Sequence, residues 1–194
     1  MTAFNDRSTP LDLLLTRRSG KARDMAAPGP SADQLAQILR IASRVPDHGK
    51  LAPWRFVVIP DTAREKFAEL LETAYRAEKP EAGRLEIQAM RDFAVQAPTL
   101  VAVMSRLKPE SHIPQWEQQL SVGAACHNLL LAAHAQGFVG NWLTGWASTS
   151  PAVLAAIGEP GETIAGFFFI GMPVKKLEER PRPLLEDVVR VWNG

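Results

Sequence analysis

A single cysteine in 194 residues leaves no second thiol for an internal disulfide. Cys126, set among Ala124, Ala125 and Leu129, reads as helix core rather than as an activated thiol. An excess of either charge is equally absent: 22 Lys plus Arg against 21 Asp plus Glu give a formal net charge of +1. That is too little for the electrostatic footprint of a protein whose main partner is nucleic acid, so any cationic site must be local. No apolar run reaches membrane-spanning length, and the first ten residues carry Asp6 and Arg7 where a secretory signal would need an apolar stretch. The expectation is a cytoplasmic chain with no membrane segment and no nucleic-acid partner.

Catalytic signatures readable from spacing are also lacking. There is no GxSxG elbow, no Walker glycine loop and no strand running into GxGxxG, which removes the usual marks of nucleophilic hydrolysis, nucleotide hydrolysis and a dinucleotide fold. The four histidines, His48, His112, His127 and His134, have no carboxylate or thiol at ligand spacing, so no metal site is expected. His127 and His134, seven apart, share a helix face and read as buried or interfacial histidines satisfied by a hydrogen bond.

What remains is ample core material, 46% hydrophobic residues with 22% charged, enough for one domain over 1–194. Thr9 and Pro10 suit the cap and first turn of a helix carrying Leu11, Leu14 and Leu15 and ending near Arg17 and Arg18. After AAPGPS, Ser31 and Gln34 form a capping box before Leu35, Ile38, Leu39 and Ala42. RFVVIP predicts a strand, and Asp61 predicts the cap of a helix with Phe67, Leu70, Leu71 and Ala74 on one face. Helix is also expected within 82–96. TLVAVM, 99–104, has the continuous apolar character of a strand covered on both faces. Between Pro114 and Gln136 the residues Trp116, Leu120, Gly123, His127, Leu130 and His134 recur at threes and fours, predicting the longest helix, stopped by Gly137. Strands are expected over 138–143 and 164–173, separated by a helix that Ser150 caps and Gly158 ends. Helices dominating and alternating with strands, without repeats or linkers, give a single α+β or α/β domain. The extension from 174 to 194 ends in Leu184, Leu185, Val188, Val189 and Trp192, which need a surface to bury against; a partner subunit would supply one.

Cations cluster at loops: Arg17, Arg18, Ser19 and Lys21 after one helix, Arg44, His48 and Lys50 after another, and Arg180 and Arg182 near the end. The arginine fork suits a phosphate monoester and lysine suits an anionic ring edge. Spacing leaves a second reading open, in which RRSGKAR is only a helix end with cations at its negative dipole terminus.

RRSGKAR (17–23), RVPDHGKLAPW (44–54), the WEQ of 116–118 and GNWLTG (140–145) together resemble the nitroreductase family, in its small YdjA-like branch, in the right order over nearly the whole chain. The resemblance implies an α+β fold with a central, mainly antiparallel sheet flanked by helices, and an interlocked homodimer with FMN at each of two interfacial sites. It implies Arg17 and Ser19 at the phosphate and ribityl chain with Arg18 in support, and Lys21 at the N1 and O2 edge of the ring. Arg44, Asp47, His48 and Lys50 of the second protomer would close over the same flavin. Arg180 and Arg182 would reach the phosphate, and Trp142, Leu143, Thr144 and Gly145 would line the ring. Asp47, His48, Lys50 and Ala52 depart from the serines, asparagine and glutamine of many members, and Lys50 would raise the flavin potential. The implied activity is hydride transfer from NADH or NADPH through flavin to a small electron-poor acceptor such as a nitroaromatic or quinone, with no catalytic side chain required. A flavin-binding or regulatory dimer without turnover, and a structural dimer with ordinary surface charges, stand as alternatives.

Overall fold

The computed structural model describes residues 4–194. In chain order the elements are α1 (Pro10–Thr16), β1 (Met25–Ala26), α2 (Ala32–Ala42), β2 (Trp54–Ile59), α3 (Arg64–Glu78), α4 (Arg84–Val95), β3 (Thr99–Ser105), α5 (Gln115–Ala135), β4 (Val139–Leu143), α6 (Trp146–Thr149), α7 (Pro151–Ile157), β5 (Thr163–Pro173) and α8 (Leu185–Val188). The sheet runs β1-β5-β3-β2, with β4 also on β5, and every pairing among the described residues is antiparallel.

Helices cover both faces of this sheet, so its inner strands are apolar throughout rather than alternating. Phe167, Phe168 and Phe169 of β5 are fully buried. Because side chains alternate across a strand, Phe167 and Phe169 meet Phe67 of α3, Phe93 of α4 and Val153 of α7 on one face. Phe168 turns to the other, with Ile38 and Ala42 of α2 and Val122, Ala125, Cys126 and Leu129 of α5. β3, between β2 and β5, is buried at every residue after Thr99.

Local chemistry sets the ends. Thr9 accepts from the Asp12 amide with Pro10 in the first turn, Ser31 and Gln34 close their capping box, and Ser150 caps α7, which ends at Gly158. Asp61 does not cap α3: it opens a 3₁₀ turn over Asp61–Ala63, and Ala63 precedes the helix. Leu13 is the buried residue of α1, while Leu11, Leu14 and Leu15 face solvent. The apolar stripe of α5 likewise splits. Leu130 and His134 face the core, whereas Trp116, Leu120 and His127 point outward, and the core face is made by Gln118, Ser121, Val122, Ala125, Cys126 and Leu129. The small strand β1 and the short helix α6 carry no sequence pattern of their own.

One irregularity of the sheet positions an aromatic ring. Between Val103 and Met104 the register of β3 against β5 slips by one residue, passing over Ala165. The freed Ala165 carbonyl accepts from the Trp142 indole N–H at 3.1 Å, and the indole stacks on Phe168 at 5.3 Å. Gly166 has φ +153, and a Cβ there would sit 2.1 Å from Trp142 Nε1. Gly166→Ala should therefore cost about 2–4 kcal/mol, combining backbone strain and displacement of a packed ring, read by urea denaturation; a cost within error of zero would show that the indole is not fixed by this bulge.

Candidate functional site

The loop cations and the residues beside them form two clusters, both packed against α5. The first is built on the segment after α1. That helix stops because Arg17 turns extended, ψ 131. Asn5 then clamps the next residue, its side chain donating to the Arg18 carbonyl at 3.2 Å and accepting from the Arg18 amide at 2.8 Å. From β4, Asn141 donates to the Gly20 carbonyl at 2.6 Å. The segment is thus pinned at both ends between α1 and the sheet.

Strand β5 ends beside it. Met25 and Ala26 pair with Pro173 and Met172, the Val174 amide donates to the Asp24 carbonyl at 3.0 Å, and Lys175 pairs with the Asp24 carboxylate at 2.7 Å. The tail then runs back past Arg18, which donates from Nε to the Glu178 carbonyl and from its terminal nitrogen to the Ser19 carbonyl. In this way one chain brings Arg17, Arg18, Ser19, Arg180 and Arg182 together. Arg17 donates to Ser19 Oγ at 3.1 Å, while its buried Nε has no partner. Burial first, then the nearby Arg182 and Arg18 cations, lowers the Arg17 pKa; burial and then Arg180 do the same to Arg18. Arg182 has Glu179 as an exposed partner at 3.3 Å. A group of guanidiniums that repel one another, with an unsatisfied N–H turned inward, is the environment an anion relieves. The paired forks beside a serine hydroxyl match the oxygens of a phosphate monoester. Lys21 lies on the rim of an adjoining cavity of about 260 Å³ shared with Arg18, Ser19, Lys175 and Lys176.

At the end of β4, Trp142 is held over β5 by its bond to the Ala165 carbonyl, Leu143 packs against the core, and Thr144 and Gly145 are exposed. Asn141, which ties this strand to Gly20, is a site residue that sequence reasoning misses. Its signal is a lone amide inside an otherwise apolar strand. His134 departs from the satisfied histidine that its helix face suggests: it is fully buried and neither ring nitrogen makes a hydrogen bond. Burial, then the Arg17 charge, lowers its pKa from 6.5 to about 4 against a weak opposing pull from the Phe138 backbone.

The second cluster is the loop after α2. Asn128 of α5 donates to the carbonyls of Ile41 and Arg44, and Ser121 donates to the Pro46 carbonyl at 2.9 Å. Gly49, Lys50 and Ala52 have φ of +76, +55 and +46. Lys50 and Ala52 carry the steric cost of this left-handed backbone. The Asp47 carboxylate holds the turn by accepting the Ala52 amide at 2.8 Å, and Arg106 donates to the Ala52 carbonyl at 3.2 Å. One oxygen of the Asp47 carboxylate, Oδ2, is thus engaged within its own loop. His48 and Lys50 project outward, and His48 Nδ1 lies 2.8 Å from Glu117 of α5. The PDH and WEQ elements thus meet in space. Within one chain no hydrogen bond among the described residues joins this loop to the arginine cluster, and ten residues of α5, about 15 Å, separate Glu117 from His127 beside Arg17.

A model of the family described as Nitroreductase matches residues 14–172. The YdjA protein of Escherichia coli (strain K12), provisionally named an NAD(P)H nitroreductase, is 38% identical over 169 residues, covering 86% of this chain and 89% of that protein. A nitroreductase-like family protein from Bacillus cereus superposes with a TM-score of 0.80 at 21% identity, covering 99% of this chain and 100% of its own. A Desulfovibrio desulfuricans protein solved with FMN gives 0.71 at 23% identity, covering 96% and 99%.

The lowered His134 pKa makes stability depend on pH. Between pH 6.5 and about 4 the unfolded chain binds the proton that the folded chain refuses, so stability falls on acidification through that window. The full penalty is about 3 kcal/mol below pH 4 and is absent above 6.5. His134→Leu should gain about that much on wild type between neutral pH and pH 4, measured as the difference between their urea-unfolding free energies. A difference independent of pH would place the proton elsewhere.

Proposed function

The chain belongs to the nitroreductase family, and from that premise we propose that it is an FMN-dependent oxidoreductase working as a homodimer. The observation that carries the reading is the approach of Arg180 and Arg182 to Arg17 and Arg18 beside Ser19, with Arg17 Nε buried and unpartnered. Arg17, Ser19 and Arg182 would hold the FMN phosphate with Arg18 and Arg180 supporting them. Lys21 would face the N1 and O2 edge of the ring, where a cation favours the reduced anionic form. Trp142, Leu143, Thr144 and Gly145 would border the ring. When bound, FMN supplies the two-electron chemistry, taking hydride from NADH or NADPH and passing it to an electron-poor acceptor. The protein then binds, orients and tunes, which accords with a sequence that carries no nucleophile or metal motif.

The outward face of α5 supports the dimer. Leu120 and His127 are placed symmetrically about the Gly123–Ala124 pair, and a Cβ on Gly123 would meet nothing within 4 Å. A bare helix surface at this point lets a second backbone approach closely. Two copies of α5 crossing antiparallel there set Leu120 against the partner subunit's His127. His48, bonded to Glu117, is then carried toward the partner's arginine cluster, across the 15 Å or so of α5 that separates Glu117 from His127 within one chain. The exposed leucines of α1 and the tail over 174–194, with Leu184, Leu185, Val188 and Trp192 exposed, supply the remaining apolar surface to be covered.

Purified protein is expected to be yellow, to bleach anaerobically with NADH or NADPH, and to regain colour with a quinone. Colourless protein that does not take up added FMN would sink the proposal. Arg17→Ala should weaken FMN retention at least about tenfold, the scale of one charge-assisted hydrogen bond, read from the fluorescence of released flavin. Gly123→Phe should convert the dimer to a monomer by light scattering; an unchanged mass would move the interface off α5.

A further inference from the structure

Val139 and Leu143 of β4 pack into the cluster of Phe167 and Phe169, and Asn141, between them on the same face of the strand, is the polar exception. Its Nδ2 donates to the Gly20 carbonyl at 2.6 Å, while its Oδ1 is buried with no hydrogen-bond partner among the described residues. A buried acceptor left unpaired costs stability, and an apolar side chain like those of its neighbours would spare that cost. What the amide holds is backbone lying flush against the strand. A Cβ on Gly20 would come within 3.0 Å of Val139 Cγ2 and 3.2 Å of Met25 Cε, so only glycine lets the RRSGK segment close on β4 in this way. The Gly20 carbonyl belongs to the peptide that leads into Lys21, and the Lys21 carbonyl, on the other side of the same Cα, accepts from the Asp24 amide at 2.9 Å. Both peptide planes that flank Lys21 are thereby fixed, and with them the direction in which its side chain leaves the backbone, at φ −90 and ψ 133. The ammonium itself makes no hydrogen bond or ion pair among the described residues, and the nearby Asp24 carboxylate is taken by Lys175 at 2.7 Å.

We propose that Asn141 is a positioning residue that sets Lys21 against the flavin ring and so raises the potential of the bound cofactor. This rests on the FMN-dependent reading, in which Lys21 faces the N1 and O2 edge and Trp142, Leu143, Thr144 and Gly145 border the ring. Reduction gathers negative charge at that edge. A cation already fixed there stabilises the charge without reorganising, whereas one carried on a loose loop loses part of the effect to its own ordering. Asn141 precedes Trp142 directly, so its bond to Gly20 joins the root of Lys21 to the strand whose end borders the ring. The distance from ammonium to ring then follows from the fold rather than from the loop. Asn141 acts through Lys21 and the backbone, and the unpaired oxygen it keeps in the core is the cost of that alignment.

The test measures the midpoint potential of FMN-loaded wild type, Lys21→Ala, Asn141→Leu and the double variant, anaerobically against a reference dye. Lys21→Ala should weaken the binding of reduced relative to oxidised flavin about tenfold, a potential about 30 mV lower for a two-electron couple. Asn141→Leu should weaken it at least about threefold, about 14 mV. The double variant should lie no lower than Lys21→Ala, because the amide works through the lysine. Leucine matches the branching of asparagine and removes the orphaned Oδ1 while leaving the Gly20 carbonyl unpaired, so one orphan replaces another and the urea midpoint should stay close to that of wild type. Asn141→Ala, which adds no bulk, repeats the comparison. An Asn141→Leu protein with a lowered urea midpoint and the wild-type potential marks the bond as structural and overturns the proposal. A drop in potential that adds in full to that of Lys21→Ala overturns it as well. If Lys21→Ala itself keeps the wild-type potential, the ring-edge placement of Lys21 falls and this proposal with it, while FMN dependence stands. Protein that takes up no FMN overturns the FMN-dependent reading and the role of Asn141 together.

Discussion

The pairing of β5 with three other strands is the constraint on which the rest depends. Along one edge it meets β3 from Thr163 to Ile170; along the other it meets β4 over Phe167–Gly171 and then β1 at Met172 and Pro173. With both edges taken and both faces roofed by helices, its run of phenylalanines can only be core, and its register fixes whatever is attached to it. β4 brings Asn141 to the Gly20 carbonyl. β1 brings the RRSGK segment to the sheet. The end of β5 releases the tail where Asp24 catches Lys175 and where Arg180 and Arg182 turn back on Arg17 and Arg18. Three segments distant in sequence become one cationic site because they are all tied to this strand.

Much of this architecture is legible in the sequence, and the reasons differ by element. Caps at Thr9, Ser31 and Ser150 are local chemistry, written in consecutive residues, and they fall where the side chains require. The apolar runs of β3 and β5 are long enough to announce strands covered on both sides. The faces of α1 and α5 are not readable in the same way. An apolar stripe signals burial without saying against what, and Leu11, Leu15, Trp116 and Leu120 are left outward by this chain. The polar residues of the true inner face of α5, Gln118 and Ser121, are hidden because they bind the loops on either side of them: Gln118 binds the backbone of Lys108 and Ile113, and Ser121 that of Pro46.

The arginine cluster is visible in the sequence as a set of residues but not as a geometry. Nothing in the spacing of 17, 18, 180 and 182 says that they meet; that depends on the β1–β5 pairing, which involves only two residues of β1 and leaves no periodic trace. Asn5 and Asn141 escape for a related reason, since each acts on a single backbone carbonyl or amide of a remote segment and belongs to no motif. The PDH loop shows the reverse: its motif is plain, yet nothing in it says that an Asp47 carboxylate oxygen also holds the left-handed backbone that carries His48 and Lys50 outward.

Both clusters are held against an internal cost, and the two costs have the same form. In the first, guanidiniums are kept close enough to depress one another's affinity for protons, and Arg17 keeps a buried N–H without an acceptor. In the second, two non-glycine residues are kept at positive φ. A chain under selection for stability alone would replace Lys50 or Ala52 with glycine and disperse the arginines; strain of about 1–3 kcal/mol per residue persists only where surrounding contacts over-determine it. Asn5 and Asn141 supply those contacts for the first cluster, and Asp47, Ser121 and Arg106 for the second. Each cluster is thus prepared before any ligand arrives, so binding does not have to supply the energy of ordering it. An anion in the first cluster would offset that repulsion, so in the site proposed there the charge of the ligand, more than its shape, would be the first determinant of what is accepted.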